Sequence, residues 1–400
     1  MRFKVMFENE EALDAALAAE DASGLVQVVN RERQVISVEA PPRMTQSAFS
    51  GHVENLERCF GCRIEPEEQY DLEAGSDRLF TAIDAPPSAS LEEVLDQIGA
   101  RDAWRRTRGA DIDIAIVDTG IDGSRPEFPA DKRVGDWTPK DAAPWTDWQG
   151  HGTMCACIAA GTKAKGGVFD GVAPEAGLIA CRTQFYEVEL AAVFDMLRAR
   201  VQAGRRVIAS NSWGRSTGTP PAPPKPDNLF VRALDDAIAA GLLVVCSAGN
   251  NHDDAGGLPS ACAPNSIWLH KSRADLMAVA TCDLDGAMWD YSSRGPGQHF
   301  GDPDTNRKPD VTAPTPRNGR IVYGRDVVVL PNGWGTSGAC PQVAGLAALL
   351  WSLDPTLARD RLFAYIHSTA VDLGLAAECQ GHGRIDCGAA VDQLAGSRVA

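Results

Sequence analysis

The stretch that decides the fold is DIDIAIVDTGID, residues 111–122. It begins with alternating apolar residues, becomes a continuous apolar run and ends in Asp118-Thr119-Gly120. A short apolar run bounded by turn residues predicts a buried strand followed by a turn. Asp118 therefore stands at the carboxyl end of a strand, where it is either part of an ordinary turn or a functional carboxylate.

From about residue 91 onward, similar strands alternate with helical stretches. Apolar runs such as GLIACR, RVIASNS and LLVVCSAGN are separated by helical patterns such as ELAAVFDMLRARVQAG. This alternation predicts an α/β fold, a mostly parallel sheet flanked by helices. In such sheets functional side chains collect at the carboxyl ends of the strands, and Asp118, Asn211 and Asn250 all fall at predicted strand ends.

The first 80 residues have a different pattern. Two helical stretches, NEEALDAALAAED and TQSAFSGHVENLERCFG, lie among strand-like runs in the order β-α-β-β-α-β. That order is typical of a ferredoxin-like sandwich. We therefore predict a small α+β ferredoxin-like domain over residues 1–80, a linker over residues 81–90, which include DAPPSAS, and the α/β domain over residues 91–400.

Composition and charge exclude several classes of function. The chain has 400 residues, 44% of them hydrophobic, and a formal net charge of −16. Residues 1–90 alone hold 17 acidic and 8 basic residues. Because phosphate binding needs clustered Lys and Arg, a nucleic-acid partner is not expected. The N-terminus lacks the apolar segment of a secretion signal, and no run reaches the roughly 18 apolar residues of a membrane span, so we predict no membrane partner and a cytoplasmic location.

The 11 cysteines lie mostly in apolar or small-residue contexts such as MCACIAAG. These contexts predict reduced, buried thiols in a reducing compartment. Cys379 and Cys387, in CQGHGRIDC, are predicted to be two ordinary cysteines in a turn. Cys59 and Cys62 form a CxxC motif, but no second Cys or His pair of matching spacing lies nearby, which disfavours a zinc site.

Three segments carry residue types that work together in nucleophilic catalysis. They are the strand end at Asp118, the segment GHGTMCACIAAG, in which His151 opens a helix of small residues, and NGWGTSGACPQVAGLAALLWSL, in which Ser337 begins a long apolar helix. A serine hydroxyl is a weak nucleophile and needs an imidazole to accept its proton. The imidazole in turn needs a carboxylate that fixes its tautomer and stabilises the imidazolium.

The Asp-Thr-Gly turn has two other interpretations. Pepsin-like and retroviral aspartic proteases also use it, but their mechanism needs two carboxylates that share a proton, from two such turns or from a dimer of short chains. This chain is long and has one Asp-Thr-Gly, which disfavours that mechanism. A purely structural role stays open for each of the three segments taken alone.

Together, these segments resemble the signatures of the subtilisin-like serine protease family, the subtilases or peptidase family S8. The segments DGVAPEAGLIACR, SNSWG, CSAGNN, YSSRGP and KPDVTAP are similar to further parts of that family, and the resemblance covers roughly residues 91–395. It implies that Asp118 orients His151, that His151 is the general base and acid, and that Ser337 is the nucleophile. The implied activity is that of a serine endopeptidase that works through an acyl-enzyme.

The resemblance also implies how a substrate is held. Asn250 matches the amide that stabilises the oxyanion, and loss of such a donor lowers the rate on the order of 10²–10³-fold. An extended polypeptide substrate would pair with Ser212, Trp213 and Gly214 as an added strand. Trp213 replaces a smaller residue and either packs inward or forms a wall of a substrate pocket.

Two interpretations of the N-terminal domain stay open. Its predicted topology matches the inhibitory pro-domain of many subtilases, so it is either an intramolecular inhibitor or chaperone cleaved at about residues 75–90, or a retained regulatory or docking domain. Its acidic composition predicts docking onto a basic face of the catalytic domain or onto a basic peptide.

The sequence requires no cofactor and assigns no metal site, although structural calcium could bind through Asp clusters that the sequence does not place. Gly338 follows the serine where the family usually has Met, and we hypothesise that it enlarges the space near the leaving group. Two other functions on the same scaffold stay open. One is a peptide transferase or macrocyclase, in which an amine resolves the acyl-enzyme, and the other is a catalytically silent peptide-binding protein.

Overall fold

A seven-stranded sheet forms the centre of the structure. The structure is a computed structural model, and it describes residues 2–20, 24–72, 79–140, 142–215, 219–225, 227–298 and 307–397. The strands are β1 (Arg2–Met6), β2 (Val26–Asn30), β3 (Val35–Glu39), β4 (Arg63–Pro66), β5 (Ala89–Ser90), β6 (Asp113–Asp118), β7 (Arg133–Trp137), β8 (Gly177–Arg182), β9 (Val207–Asn211), β10 (Leu243–Ser247), β11 (Met277–Cys282), β12 (Val311–Pro314), β13 (Gly319–Tyr323) and β14 (Asp326–Leu330). The large sheet has the order β12-β11-β10-β9-β6-β8-β7, and each neighbouring pair is parallel. The predicted α/β fold with a mostly parallel sheet is confirmed.

Helices cover both faces of this sheet. The helices are α1 (Glu10–Glu20), α2 (Gln46–Phe60), α3 (Leu91–Gln97), α4 (Ala100–Ala103), α5 (His151–Ala160), α6 (Glu187–Gln202), α7 (Leu229–Ala240), α8 (Gly335–Leu353), α9 (Arg359–Ser368), α10 (Ala377–Gln380) and α11 (Cys387–Ser397). Helices α5 and α8 pack on one face, and α6 and α7 pack on the other. Within the part of the chain that the structure describes, no helix is both long and apolar enough to cross a bilayer.

The alternation of side chains along β6 decides which layer its end faces. Ile114 and Ile116 belong to the core under α5 and α8, whereas Ala115 and Val117 belong to the core under α6 and α7. Because successive side chains point to opposite faces of a strand, Asp118 continues the set of Ile114 and Ile116. The carboxylate therefore points to the layer in which α5 and α8 begin.

Residues 2–66 form a small antiparallel sheet with two helices. The strand order is β2-β3-β1-β4, and the elements follow the order β-α-β-β-α-β that the sequence predicts. Apolar side chains such as Val5, Leu13, Ile36 and Leu56 fill the space between this sheet and its helices. The function of this unit as an inhibitory or regulatory domain stays a prediction.

The other face of the small sheet lies against the α/β domain. Arg2 and Lys4 of β1 are 5% and 3% exposed, and they form ion pairs with Glu189 at 2.5 Å and with Glu187 at 2.9 Å on α6. Further pairs of the same polarity are Arg33–Asp195, Arg33–Asp236 and Arg63–Asp227. Although the domain is acidic in composition, its buried pairs present cations to carboxylates of the α/β domain, while the more exposed Glu32–Arg198 pair has the opposite polarity. The expected docking of an acidic surface onto a basic face is therefore wrong for the buried part of this contact.

The predicted linker of residues 81–90 is attached to the α/β domain. Ile83 N–H donates to the Val329 carbonyl, and Ser88 N–H donates to the Asn318 carbonyl, each at 3.0 Å. Strand β5, at the end of this stretch, pairs in parallel with β13. These contacts bind the stretch to the β13–β14 hairpin, which lies beside α5. The stretch is therefore not a linker without contacts.

Candidate active site

Asp118 and His151 meet at the carboxyl end of β6. His151 Nδ1 lies 2.8 Å from Asp118 Oδ1 and 3.0 Å from Oδ2, and both residues are fully buried. The carboxylate also accepts the Thr119 N–H at 2.7 Å. This geometry directs the Nδ1 proton to the carboxylate and leaves His151 Nε2 as the atom that can accept a proton. Nε2 is buried and makes no hydrogen bond.

Close backbone contact holds α5 against the Asp-Thr-Gly turn. A Cβ on Gly152 would lie 2.2 Å from the Gly120 carbonyl oxygen, so the approach requires glycine. Gly152 N–H donates to Thr119 Oγ1 at 2.9 Å. Asp147 accepts backbone N–H groups at the start of α5 and caps the helix. These contacts fix His151 in position relative to the turn.

Ser337 lies in the first turn of α8. Its Oγ donates to the Ser212 carbonyl at 3.4 Å, and Ser212 Oγ donates to the Ser337 carbonyl at 3.1 Å. No hydrogen bond joins Ser337 Oγ to His151 Nε2 in this conformation. Catalytic hydrogen bonds of this kind commonly tighten only when a substrate is bound.

Asn250 follows β10 and is fully buried beside the start of α8. Its Oδ1 accepts the Thr336 N–H at 2.9 Å and the Thr336 Oγ1 hydroxyl at 2.8 Å, which fixes the orientation of the amide. Its Nδ2 is buried and makes no hydrogen bond. The Ser337 N–H belongs to the first helical turn, where amides have no intrahelical acceptor. Two N–H donors are therefore available to a negatively charged oxygen.

The backbone at Gly214 pairs with a segment that follows the N-terminal domain. Asp71 N–H donates to the Gly214 carbonyl, and Gly214 N–H donates to the Asp71 carbonyl, each at 2.9 Å. On the opposite side, Tyr70 N–H donates to the Phe185 carbonyl at 2.9 Å. Residues 69–72 therefore form an extended strand between two segments of the catalytic domain.

Tyr70 is 2% exposed and lies in an aromatic pocket. The rings of Trp213, Phe230 and His270 lie 5.5, 5.3 and 6.0 Å from the Tyr70 ring. Trp213 has no exposed surface, and its ring also lies 5.8 Å from that of Phe185. Trp213 thus packs inward and at the same time forms a wall of the pocket that holds Tyr70.

On the other side of the site, Leu79 and Phe80 lie near His151 and the start of α8. The Phe80 ring lies 4.7 Å from the imidazole in an edge-to-face arrangement and 6.2 Å from the Tyr323 ring. A Cβ on Gly335 would lie 3.4 Å from atoms of both Leu79 and Phe80. The described parts of the chain on either side of residues 73–78 therefore flank the site.

Among the described residues, one group of His, Cys, Asp and Glu side chains has the spacing of metal ligands, and it consists of Asp118, His151 and Cys155. Burial, reinforced by the charge of Asp118, raises the pKa of the Cys155 thiol well above its usual value. A protonated thiol is a poor metal ligand. Cys155 Sγ instead donates to the Ser337 carbonyl at 3.5 Å. The group fits a proton-transfer pair better than it fits a metal site.

Cys262 and Cys379 form a disulfide. The prediction of reduced thiols is wrong for this pair, and Cys379 is not an ordinary turn cysteine. The two residues are separated by 117 positions, and no local pattern indicates their pairing. The buried Arg294 donates to Cys379 Sγ at 3.1 Å and to the Ala261 carbonyl at 2.7 Å. The remaining nine cysteines are free, and Cys59 is the exposed one.

Gly338 does not open additional space beside Ser337. A Cβ at this position would lie 2.5 Å from Trp334 Cβ and 3.4 Å from Thr315 Cγ2. Trp334 is fully buried, and its Nε1 donates to the Gly319 carbonyl at 3.3 Å. The hypothesis of an enlarged space is therefore wrong, because the indole already fills it.

The structure brings the predicted site residues into one cleft: Asp118, His151, Ser337, Asn250, Ser212, Trp213 and Gly214. Sequence reasoning missed Tyr70, Phe80 and Lys271, which also line this cleft. Tyr70 is the first tyrosine of the chain, and a lone aromatic residue in the acidic run EPEEQYDLEAG was the available signal. No local pattern marks the other two.

Comparison with known proteins places this chain in a family. A model of the subtilase family, peptidase family S8, matches residues 109–383. Thermitase of Thermoactinomyces vulgaris is 30% identical over 311 residues, which cover 76% of this chain and 98% of thermitase. An intracellular serine protease of Paenibacillus polymyxa is 26% identical over 310 residues, which cover 72% of this chain and 83% of that protein.

Two further similarities concern another relative and a solved structure. A calcium-dependent protease of Nostoc sp. is 29% identical over 293 residues, which cover 65% of this chain and 41% of that protein. The crystal structure of fervidolysin from Fervidobacterium pennivorans superposes with a TM-score of 0.62 at 20% identity and covers 98% of this chain and 60% of that chain, a similarity of fold. The chain belongs to the subtilase family and is a subtilisin-like serine protease.

Proposed function

We propose that this subtilase is an endopeptidase in which Asp118, His151 and Ser337 form the catalytic triad. The observation that carries the proposal is the buried pair of His151 and Asp118, 2.8 Å apart, with His151 Nε2 unbonded in the same site as Ser337. His151 accepts the hydroxyl proton as Ser337 Oγ attacks the substrate carbonyl, and Asp118 stabilises the imidazolium. His151 then gives the proton to the leaving amine, and water releases the acyl group from Ser337.

We propose that Asn250 Nδ2 and the Ser337 N–H bind the oxyanion of the tetrahedral intermediate. Support comes from the orientation of Asn250, whose Oδ1 is held by Thr336 while its Nδ2 makes no hydrogen bond. Donors that are already fixed before the reaction cost no reorganisation when the negative charge develops.

The substrate is proposed to bind as an extended strand between Gly214 and Phe185, in the place that residues 69–72 take in the structure. Ser212, Trp213 and Gly214 supply the backbone edge and the pocket wall. Because Tyr70 fills the pocket formed by Trp213 and its aromatic neighbours, a large aromatic side chain is the expected occupant at the corresponding substrate position.

The N-terminal domain is proposed to act as an intramolecular inhibitor. Support comes from residues 69–72, which use the substrate strand, and from Phe80, which lies against His151. The two earlier interpretations, cleavage or retention, are separated by the intact mass of the purified active enzyme. A mass reduced by about the N-terminal 75–90 residues is expected for a cleaved inhibitor, and a single active full-length species would support a retained domain.

Labelling with a fluorophosphonate tests the proposed nucleophile. Wild type and Ser124→Ala, which alters an exposed serine, are expected to be labelled and to cleave a peptide library, whereas Ser337→Ala is expected to do neither. The masses of the products distinguish water from an amine as the acceptor, so the same assay tests the peptide transferase or macrocyclase alternative. A wild-type protein that is neither labelled nor active would support the silent peptide-binding protein instead.

A cytoplasmic location and bound calcium are further proposals. The location is supported by the intracellular relative and by the nine free cysteines, whereas the Cys262–Cys379 disulfide is unusual for a reducing compartment. Alkylation in intact cells followed by mass measurement counts the free thiols and decides whether this bond forms there. Calcium is supported by the calcium-dependent relative, and a melting temperature that falls when a chelator is added would place it in this chain.

A further inference from the structure

A buried guanidinium lies beside the Cys262–Cys379 disulfide. Arg294 is 1% exposed, and its Nη1 donates to Cys379 Sγ at 3.1 Å. Its other side-chain hydrogen bonds go to backbone carbonyls, the shortest to Ala261 at 2.7 Å. Burial lowers the pKa of Arg294, and the charge of Asp290 opposes this effect, but among the residues that the structure describes no carboxylate forms an ion pair with Arg294. A buried cation favours a nearby anion, and a thiolate on Cys379 would supply one.

The two sulfurs of the disulfide differ in how easily a reductant can reach them. Cys262 is half-buried, whereas Cys379 is 4% exposed and lies in α10. In thiol–disulfide exchange the accessible sulfur is attacked, and the other sulfur leaves as a thiolate. Because a neighbouring cation stabilises a thiolate, a cysteine beside Arg294 is the better leaving group. Access and charge therefore both favour attack on Cys262 and departure of Cys379.

The disulfide fixes the far end of the segment that follows Asn250, the proposed oxyanion residue. This segment, residues 251–262, folds back on itself, since Gly257 N–H donates to the His252 carbonyl at 2.8 Å. The Leu258 carbonyl oxygen also lies 3.2 Å from His252 Nε2. The segment is thus a compact loop that connects Asn250 to the disulfide.

Two consecutive residues hold both ends of this loop. At the near end, Asn251 N–H donates to Ser293 Oγ at 3.1 Å. At the far end, the side chain of the next residue, Arg294, donates to the Ala261 carbonyl. A thiolate on Cys379 would compete for the guanidinium, because hydrogen bonds to charged acceptors are stronger than those to neutral ones. Opening the disulfide would therefore remove one attachment of the far end and weaken the other.

We propose that the Cys262–Cys379 disulfide is a redox-active site that a dithiol reductant opens, and that its opening lowers the rate of peptide hydrolysis at Ser337. A thiolate of the reductant attacks Cys262 Sγ, and the electron pair of the broken S–S bond stays on Cys379 Sγ, beside Arg294. The second thiol of the reductant then attacks the mixed disulfide and releases Cys262, which takes a proton. The reductant loses two electrons and becomes a disulfide, and its other proton goes to solvent. The effect on the rate rests on the proposed function, through Asn250, whereas the opening of the disulfide does not.

The position of a mixed disulfide tests the site itself. The purified protein is treated with glutathione, a monothiol, then quenched with acid and digested, and the adduct is located by mass. The adduct is expected on Cys262, and an adduct mainly on Cys379 would overturn the inference. Reduction by a dithiol at neutral pH should also add the ultraviolet absorbance of a thiolate, because Arg294 keeps Cys379 ionised. Absence of that increase would count against Arg294 as the partner of the leaving sulfur.

Substitution of Arg294 tests the role of the cation. Arg294→Gln is expected to slow the opening of the disulfide roughly 10-fold, because the departing sulfur loses its cation, and Arg294→Lys should keep most of the rate. Arg317→Gln, which alters an exposed arginine paired with Asp283, is the control and should open like wild type. Equal rates in wild type and in folded Arg294→Gln would overturn the inference. If Arg294→Gln does not fold, the adduct position and the thiolate absorbance of wild type decide.

Peptide hydrolysis tests the consequence for the active enzyme. Opening the disulfide is expected to lower kcat roughly 2- to 30-fold and to leave KM nearly unchanged, because Asn250 acts in the transition state. The double variant Cys262→Ser/Cys379→Ser should have the lower kcat and no response to a dithiol, whereas Cys59→Ser, at the exposed free cysteine, should respond like wild type. An unchanged kcat after complete opening would overturn the inference and leave the proposed function standing. An oxidised enzyme that neither hydrolyses peptides nor reacts with a fluorophosphonate would contradict the proposed function, and the adduct position would still decide on the redox site.

Discussion

The N-terminal part of the chain contacts the catalytic domain in two regions that differ in chemistry. The small sheet contacts α6 through buried ion pairs such as Lys4–Glu187. The segment of residues 69–72 contacts the cleft through backbone hydrogen bonds and the ring of Tyr70. The first contact depends on side chains that a substrate does not have. The second uses surfaces that any suitable extended peptide can take. The sheet contact can therefore hold the domain in place after the cleft contact has been replaced.

The largest expected effect comes from a substitution that impairs the chemistry of the cleft and leaves both contacts of the N-terminal domain intact. Asp118→Asn should lower kcat by roughly 10⁴-fold, by analogy with the same change in another triad, because the asparagine no longer fixes the tautomer of His151. Both contacts of the N-terminal domain should survive, so the protein should accumulate as a folded full-length chain. Peptide hydrolysis, circular dichroism and intact mass measure these outcomes.

Asp131→Asn is the matched control, because Asp131 is an exposed carboxylate outside the cleft. It should process itself and hydrolyse peptides like wild type. Near-normal turnover in Asp118→Asn would contradict the triad and, with it, the assignment of the cleft contact as a substrate-like contact.

The next prediction breaks the sheet contact alone, in a Ser337→Ala background that prevents cleavage. Lys4→Met leaves Glu187, which is fully buried, without its cation, and loss of one partner from a buried pair costs about 3–5 kcal/mol. Urea denaturation of the full-length chain should show this loss. Arg31→Met, which removes an exposed pair with Asp14, should leave the stability close to that of the Ser337→Ala parent, because water and salt screen an exposed pair. Equal effects of the two variants would show that the buried pair does not hold the domain.

The complementary prediction breaks the cleft contact alone. Tyr70→Ala removes a side chain whose burial is worth about 1.5–3 kcal/mol. A fluorescent substrate peptide should then bind the Ser337→Ala protein roughly 10- to 100-fold more tightly, because it competes with a weaker internal segment. Lys4→Met should leave this affinity unchanged, since it does not alter the cleft. An increase in affinity in Lys4→Met but not in Tyr70→Ala would show that the sheet contact, and not the cleft contact, competes with the peptide.

The two contacts also differ in how well the sequence predicts them. The strand end at Asp118, and the helix starts at His151 and Ser337, are visible because each follows from a local pattern that the fold then brings together. Tyr70 and Lys271 meet the cleft through the register of an added strand and through a short turn, and neither is encoded by periodicity. The polarity of the sheet contact was missed for a related reason. Net composition does not report which face of a sheet carries its cations.

The sequence also does not predict which residues pair when they lie far apart along the chain. Cys262 and Cys379 are brought together by the packing of a loop and a short helix, and local apolar context predicted reduced thiols for them. The same context correctly describes thiols such as Cys155 and Cys340, which are buried and free. Local sequence thus predicts burial better than it predicts pairing.

The smallest expected effect is a pH dependence of the sheet contact, and it comes from Glu67. This partly buried carboxylate accepts the Ser37 hydroxyl and, at 2.9 Å, the Val188 N–H of α6. Burial raises the pKa of Glu67 to about 7 in the docked state, and Glu189 adds to this effect while Arg2 opposes it. Because the docked state binds the proton more tightly, the contribution is complete below about pH 4.5 and is lost as the pH rises through about 7.

The free energy of unfolding of the Ser337→Ala protein should therefore include a contribution from Glu67 that is smaller at pH 8 than at pH 5.5. After allowance for partial exposure, the difference from this one group is about 1–2 kcal/mol. Glu67→Gln should remove that term, and Glu57→Gln, at an exposed position on α2, should retain it. Among residues 69–72 of the cleft contact, Asp71 is the one carboxylate, and it pairs with the cleft through its backbone. Peptide affinity in the same proteins should therefore respond to Tyr70→Ala and should not respond to Glu67→Gln. A pH difference that is identical in Glu67→Gln and Glu57→Gln would show that the sheet contact does not depend on this proton.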